Sequence, residues 1–382
     1  MADLNFRIAP NIMLGSYMTS RIGECLQAYG TKFMLIIDPV LKSLGTTPRI
    51  KQSLVDHKLD CFVFDSLTEV AETKTIDQAL QLARQSHIQG VIAVGGGKTL
   101  HVARAVCALF NEKRDIYAVV ENGTTSEAAL PLICVPTTSR DALLFTDIIP
   151  VIDSRASRIA LIKAQLNLCK LVVFDSNLTV TLSEKQLGSM AQEIFCLATE
   201  AYLSQKANFF SDMFAEKAIE LLGIALDENR TRSVTTPQTD LLTQSGCMAS
   251  IAVASSSLGP ASLLSMSINA RYRISRALIT SILFPYTIDD FAKYKAARLA
   301  KLMLILHPEE REKTEDELAA SFAETMRQRL AKLNLPARLK DLSVSIEQLT
   351  LAAEDAGKLD LIHAMPRSMT SDDLFTLIKT AY

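Results

Sequence analysis

The sequence predicts an α/β N-terminal domain with a parallel sheet, residues 1–177, and an all-α C-terminal domain, residues 178–382. Three observations carry this expectation. With 382 residues, 48% of them hydrophobic, the chain can bury more core than one domain usually holds. In the first half, short runs rich in β-branched residues alternate with amphipathic stretches, the pattern of a parallel sheet covered by helices. From Ser183 onward the apolar period becomes helical, and no convincing strand remains.

Taken in order, the expected strands are residues 32–38, 60–64, 90–94, 116–120, 132–136 and 171–175, each a short apolar run bounded by polar or turn residues. Between them, residues 48–57, 75–86 and 100–110 space their apolar side chains at three and four, as helices do. A short apolar strand at 6–9 is placed to pair across a dimer, and a homodimer or higher homo-oligomer is the expected assembly. The boundary falls within 175–181. Beyond it, residues 184–205, 212–227 and 293–306 read as helices, and charged 309–317 as a solvated loop or helix start.

Composition excludes several classes. A net charge of −2, with basic residues spread along the chain, leaves no footprint for nucleic acid. Residues 1–20 carry only Arg7 and no unbroken apolar core, unlike a signal peptide. The longest uncharged stretch, 241–270, is rich in serine and broken by Gly246, Gly259 and Pro260, so no membrane span is expected. Seven cysteines, an odd number without C-x-x-C pairs, read as reduced core residues, and the expected location is the cytoplasm.

The run Gly95-Gly96-Gly97-Lys98-Thr99 follows one expected strand and opens a helix. Bare backbone lets N–H groups approach an anion, and a helix N-terminus adds partial positive charge, so this is a candidate phosphate cradle. It is not a P-loop, which requires glycine where Ile92 stands, nor the G-x-G-x-x-G fingerprint, which requires glycine where Leu100 stands. By itself a glycine triplet is either a tight turn or a ligand loop.

Neighbouring motifs bear on that choice. Gly95 to Arg104 is similar to the G-G-G-[SK]-x-x-D-x-A-K of the iron-containing alcohol dehydrogenase family, whose superfamily includes glycerol dehydrogenase and dehydroquinate synthase. Val135-Pro136-Thr137-Thr138 matches its P-T-T, and Leu197-Ala198-Thr199-Glu200-Ala201-Tyr202 resembles its H-A-x-E-A-Y. Ser257-Leu258-Gly259, Ile282-Leu283-Phe284-Pro285 and Met365-Pro366-Arg367 extend the likeness in register along nearly the whole chain.

The resemblance implies an active-site cleft between the two domains and NAD or NADP as cofactor. It would place Asp38 near the adenosine ribose, Gly95, Gly96, Gly97 and Lys98 at the pyrophosphate, and Thr137, Thr138 and Thr146 on the nicotinamide side. Bland readings stand beside these: Asp38 as a strand-end turn residue before Pro39, the threonines as caps of the following turn, and His101 as an ordinary helix residue.

The sequence also departs from the family. Glu193 matches a metal-binding carboxylate, but Leu197, Ser262, Met266 and Arg276 stand where the family pattern has its histidines. The five histidines are His57, His87, His101, His307 and His363, none between residues 102 and 306, so no metal is expected. Ser139 to Leu144 replaces a small A-G-T-G-S-E loop with bulk and charge. Arg276 could pair with Glu193 and substitute for the lost cation, favouring an anionic ligand; alternatively Arg271, Arg273 and Arg276 form a solvated turn. The expected activity is a metal-independent NAD(P)-dependent oxidation or reduction of a small alcohol or carbonyl substrate, with Glu193, Ser262 and Arg276 as candidate catalytic residues. The alternatives are a silent member that binds a nucleotide or anionic metabolite, and a dehydroquinate synthase-like lyase, against which the missing histidines count.

Overall fold

The computed structural model describes residues 6–165 and 167–382. They form an α/β unit, residues 8–181, and a helical unit of residues 182–382 with Phe6 and Arg7. The division falls four residues beyond the position expected from composition.

The α/β unit is built on strands β1 (Asn11–Leu14), β2 (Lys32–Ile37), β3 (Asp60–Phe64), β4 (Gly90–Gly95) and β5 (Leu132–Pro136), a hairpin of β6 (Ile148–Asp153) and β7 (Arg158–Lys163), and β8 (Cys169–Phe174). Six of them make one sheet in the order β1-β8-β5-β4-β2-β3, every pair parallel. Helices α1 (Thr46–Asp56), α2 (Thr73–Gln85) and α3 (Gly97–Leu109) occur between its strands. Residues 33–37 and 91–94 are buried at every position, because a parallel sheet covered on both faces leaves neither side of a central strand to solvent.

Two expectations needed correction. Residues 116–120 are not a strand but lie in helix α4 (Ile116–Asn122): the Asp115 carboxylate accepts from Tyr117 N at 2.7 Å and Ala118 N at 3.0 Å, and Gly123 at φ 74° ends the turn. A local Asx cap overrode β-branched composition there. The β6–β7 hairpin was not anticipated, since Pro150 interrupts its first strand; proline is tolerated because this two-stranded ladder lies outside the main sheet and its bridges to other segments fall at Ile152 and Lys163. Within the single chain residues 6–9 pair with no other strand, and the Phe6 ring stacks on Phe210 at 4.4 Å and Phe214 at 5.7 Å.

The helical unit contains α5 (Glu184–Leu203), α6 (Phe209–Ala225), α7 (Glu228–Arg232), α8 (Gln238–Ser255), α9 (Pro260–Tyr272), α10 (Arg276–Leu306), α11 (Glu315–Lys332), α12 (Ile346–Gly357) and α13 (Ser371–Ala381). Reciprocal capping boxes start α5 (Ser183 with Gln186), α11 (Thr314 with Glu317) and α12 (Ser345 with Gln348). Helix α10 begins well before the expected 293, carries Pro285 inside, and breaks its dihedrals at Lys295. Among the described residues no single helix is long and apolar enough to cross a membrane; α8 and α9 meet both conditions only together, bent by 100°.

Candidate functional site

Strand β4 ends and α3 begins within three glycines, and Gly95 differs from the other two. A Cβ on Gly95 would stand 2.4 Å from Thr99 Oγ1, so internal packing demands glycine there. A Cβ on Gly96 would meet nothing closer than Thr138 Cγ2 at 3.4 Å, and its φ of −80° suits any residue. On Gly97 the nearest atom would be Asp141 Oδ2, also at 3.4 Å. Neither packing nor backbone geometry requires glycine at 96 and 97, so bare backbone is left there for a close approach from outside the chain. No side chain caps α3, so its leading N–H groups are left for an external acceptor.

Charged and hydroxyl groups frame this corner. Lys98 Nζ lies 3.4 Å from Asp38 Oδ2, joining the first turn of α3 to the C-terminal end of β2. Asp38 also accepts from Val40 N at 3.2 Å as a cap, so its turn role and its position beside the cradle coexist. Thr137 N bonds Gly95 O at 3.0 Å and ties β5 to the corner, and half-buried Thr138 faces Gly96. Thr146 is different: its hydroxyl donates to Leu143 O at 2.8 Å, and its carbonyl accepts from Arg104 Nη2 at 2.6 Å. Thr146 closes a loop here.

Beneath the glycines lies a buried polar cluster. His101 Nε2 is 2.9 Å from Asp141 Oδ2, Arg104 Nη1 is 4.0 Å from Asp141 Oδ1, and Arg104 is 1% exposed. The bulky loop at 139–144 thus puts a carboxylate opposite His101 and Arg104. His101 is a buried partner of Asp141.

In the helical unit, α5 aligns Glu193, Leu197 and Glu200 on one face. Glu193 is buried, and Leu197 and Met266 are each 1% exposed. Among the described residues no Glu193–Arg276 ion pair is found: Arg276 opens α10, where a cation opposes the helix dipole, and its Nε is buried without a hydrogen-bond partner. Arg271 is not a solvated turn residue either; its Nε donates to Asp355 Oδ2 at 2.6 Å.

Ser262 is 2% exposed, and its hydroxyl donates to Glu200 Oε2 at 2.5 Å. Glu200 also accepts from Gly259 N at 2.9 Å and Ala261 N at 2.8 Å, capping the start of α9. Burial pushes the Glu200 carboxyl up to about 7, against these hydrogen bonds that favour its ionised form. Glu200 was visible in sequence as part of the L-A-T-E-A-Y run, but nothing there signalled its contact with α9.

A metal ion does not fit these residues. Leu197 and Met266 offer no donor suited to a hard cation, Arg276 is itself a cation, and among the described residues no three His, Cys, Asp or Glu side chains group to hold one.

A parallel α/β sheet with a bare-glycine helix start at the C-terminal end of a central strand is the architecture of nucleotide-binding folds. The family model described as iron-containing alcohol dehydrogenase matches residues 9–176, and that of the C-terminal part of the Fe-containing alcohol dehydrogenase family matches residues 190–382. The chain belongs to the iron-containing alcohol dehydrogenase family, and is an alcohol dehydrogenase-like oxidoreductase. It is similar to alcohol dehydrogenase 4 of Saccharomyces cerevisiae, at 21% identity over 92% of this chain and 91% of the relative. It is also 21% identical to the NAD-dependent methanol dehydrogenase of Bacillus methanolicus, over 99% of both chains. The solved alcohol dehydrogenase from Oenococcus oeni shares the fold, with a TM-score of 0.90, 20% identity and full coverage of both chains.

Proposed function

We propose that this chain interconverts a small alcohol and its carbonyl compound with NAD or NADP, without a metal ion, on a substrate of anionic character. The observation that carries this reading is the pair of glycines, 96 and 97, that neither packing nor backbone geometry demands, set beside Lys98 and Asp38. Gly96, Gly97 and Lys98 would hold the pyrophosphate through backbone N–H groups and the ammonium, and Asp38 would accept from a ribose hydroxyl. When bound, the nicotinamide gives or takes the hydride. The Bacillus methanolicus relative, NAD-dependent by name, supports that cofactor.

Without a cation, charge developing on the substrate oxygen must meet protein groups. Arg276, with a buried Nε lacking a partner, suits an anionic substrate group. Glu193 stands as the proton-handling carboxylate, and Ser262 acts with Glu200, whose carboxyl titrates near neutrality. A reducing, cytoplasmic setting goes with this reading, since all seven cysteines are free.

A second reading, binding without turnover, is favoured by the buried apolar Leu197 and Met266 at two positions of the family's ligand pattern. One experiment separates the two. The chain has no tryptophan, so NADH and NADPH fluorescence can be titrated directly, followed by turnover on a panel of charged and neutral aldehydes. Binding with turnover on an anionic aldehyde is expected; binding with no turnover on any substrate selects the second reading, and no binding rejects both.

A further inference from the structure

The helical unit holds a cavity of about 470 Å³ whose lining comes from α5, α7, α8, the ends of α6 and α11, and the residues just after those two. Glu184, Leu187, Gly188, Ala191, Gln192 and Phe195 recur at helical spacing on the α5 face that lines it. Glu193, Leu197 and Glu200 occupy a different face, with Glu193 about 160° around the axis from Ala191 and Phe195 at 100° per residue. The cavity is therefore separate from the Glu193 site.

Its floor is buried and mostly apolar, from Ala191, Phe195 and Ala225 with Leu242. A Cβ on Gly188 would stand 2.3 Å from Leu333 Cδ1, so leucine packs directly onto α5 backbone at the wall. Two polar atoms in this lining lack partners. Gln192 is 1% exposed and donates through Nε2 to Met326 O at 2.8 Å, which leaves Oε1 buried without a hydrogen bond. Arg329 Nε is also buried without one, and the guanidinium lies 5.1 Å over the Phe195 ring. An orphaned acceptor and an orphaned cationic donor in one apolar cavity cost free energy unless a ligand satisfies them. Arg232, Lys332 and Glu184, all exposed, complete the polar part of the lining.

We propose that this cavity binds a small amphipathic hydroxycarboxylate, its carboxylate on Arg329, its hydroxyl donating to Gln192 Oε1, and its apolar body over Phe195. A monoanionic carboxylate matches one guanidinium fork, and the volume lies within the usual range for small-molecule sites.

The test is calorimetric titration with 3-hydroxydecanoate and its neutral counterpart 1,3-decanediol, against the natural chain, Arg329→Gln and Ala191→Leu, each checked for folding by thermal melting. The acid is expected to bind the natural chain at least about tenfold more tightly than the diol. Arg329→Gln should abolish that preference, and Ala191→Leu, which fills the floor, should weaken the acid by a similar factor. The diol binding as tightly as the acid to the natural chain, or the acid binding both variants undiminished, overturns the proposal. The comparison within the natural chain stands even if a variant fails to fold.

Discussion

Lys98 Nζ and Asp38 Oδ2 stand 3.4 Å apart, with the lysine side chain 31% and the aspartate 17% exposed. At that exposure the ion pair contributes little to stability. It holds instead two opposite charges, from two elements that meet at the end of the sheet, beside a bare-glycine helix start. On the proposed reading, a carboxylate there would accept from a ribose 2′-hydroxyl and repel a 2′-phosphate, although Lys98 would offset part of that repulsion. NADH is therefore expected to bind more tightly than NADPH. Asp38→Ser should narrow the ratio about tenfold, measured by fluorescence titration; an unchanged ratio excludes Asp38 from cofactor choice.

Gly95 and Gly96 are adjacent yet should respond oppositely to alanine. At Gly95 a methyl collides with Thr99, so Gly95→Ala should lower stability by about 1–3 kcal/mol in urea unfolding. At Gly96 the methyl meets only Thr138 at contact distance, so stability should change by less than about 0.5 kcal/mol. Nucleotide affinity should fall about tenfold or more at Gly96, because the methyl occupies the approach of the phosphates. Equal stability losses at the two positions contradict this division.

Glu200 should give the helical unit a pH dependence. Its carboxyl is raised to about 7 from the ordinary 4.5. The folded state therefore binds more protons than the unfolded one between those values. Stability linked to Glu200 is fully present below about 4.5 and is lost as pH rises through about 7. At ~1.4 kcal/mol per pKa unit the window holds roughly 3 kcal/mol. Glu200→Gln keeps one acceptor oxygen where Gly259 and Ala261 donate but cannot ionise, so it should flatten the unfolding free energy between pH 4.5 and 7. An identical slope in variant and natural chain removes Glu200 as its source.

Elements fixed by their own residues were legible in the sequence. Central strands such as 90–94 read correctly because they are apolar on both faces, and the glycine corner because no other residue leaves backbone bare. Residues 116–120 misread because β-branched composition and an Asx cap give opposite instructions, and the cap won. The β6–β7 hairpin was masked by Pro150, whose tolerance depends on its ladder lying outside the main sheet. In the site, Asp38 and the glycines announced themselves locally. The Glu200–Ser262 bond joins residues 62 positions apart and exists only once α9 packs on α5. Arg276 carried the opposite error: complementary charge suggested a partner in Glu193, whereas the fold buries its Nε unpaired.

That unpaired arginine leads to a prediction that separates substrate charge from metal dependence. A hydrogen bond from guanidinium to an ionised substrate group contributes ~1.5–3 kcal/mol, so Arg276→Met should lower kcat/KM for an anionic aldehyde by roughly ten- to a hundredfold. A neutral aldehyde of the same size should be affected severalfold at most, since it never used the charge. Dialysis against a chelator should leave both rates unchanged in the natural chain, because Leu197, Met266 and Arg276 cannot complete a ligand set around Glu193. Each arm reads a different group. Loss of turnover on chelation, restored by zinc or ferrous iron, overturns metal independence whatever the arginine does. Equal losses for charged and neutral aldehydes in Arg276→Met reduce Arg276 to a structural residue while leaving metal independence intact.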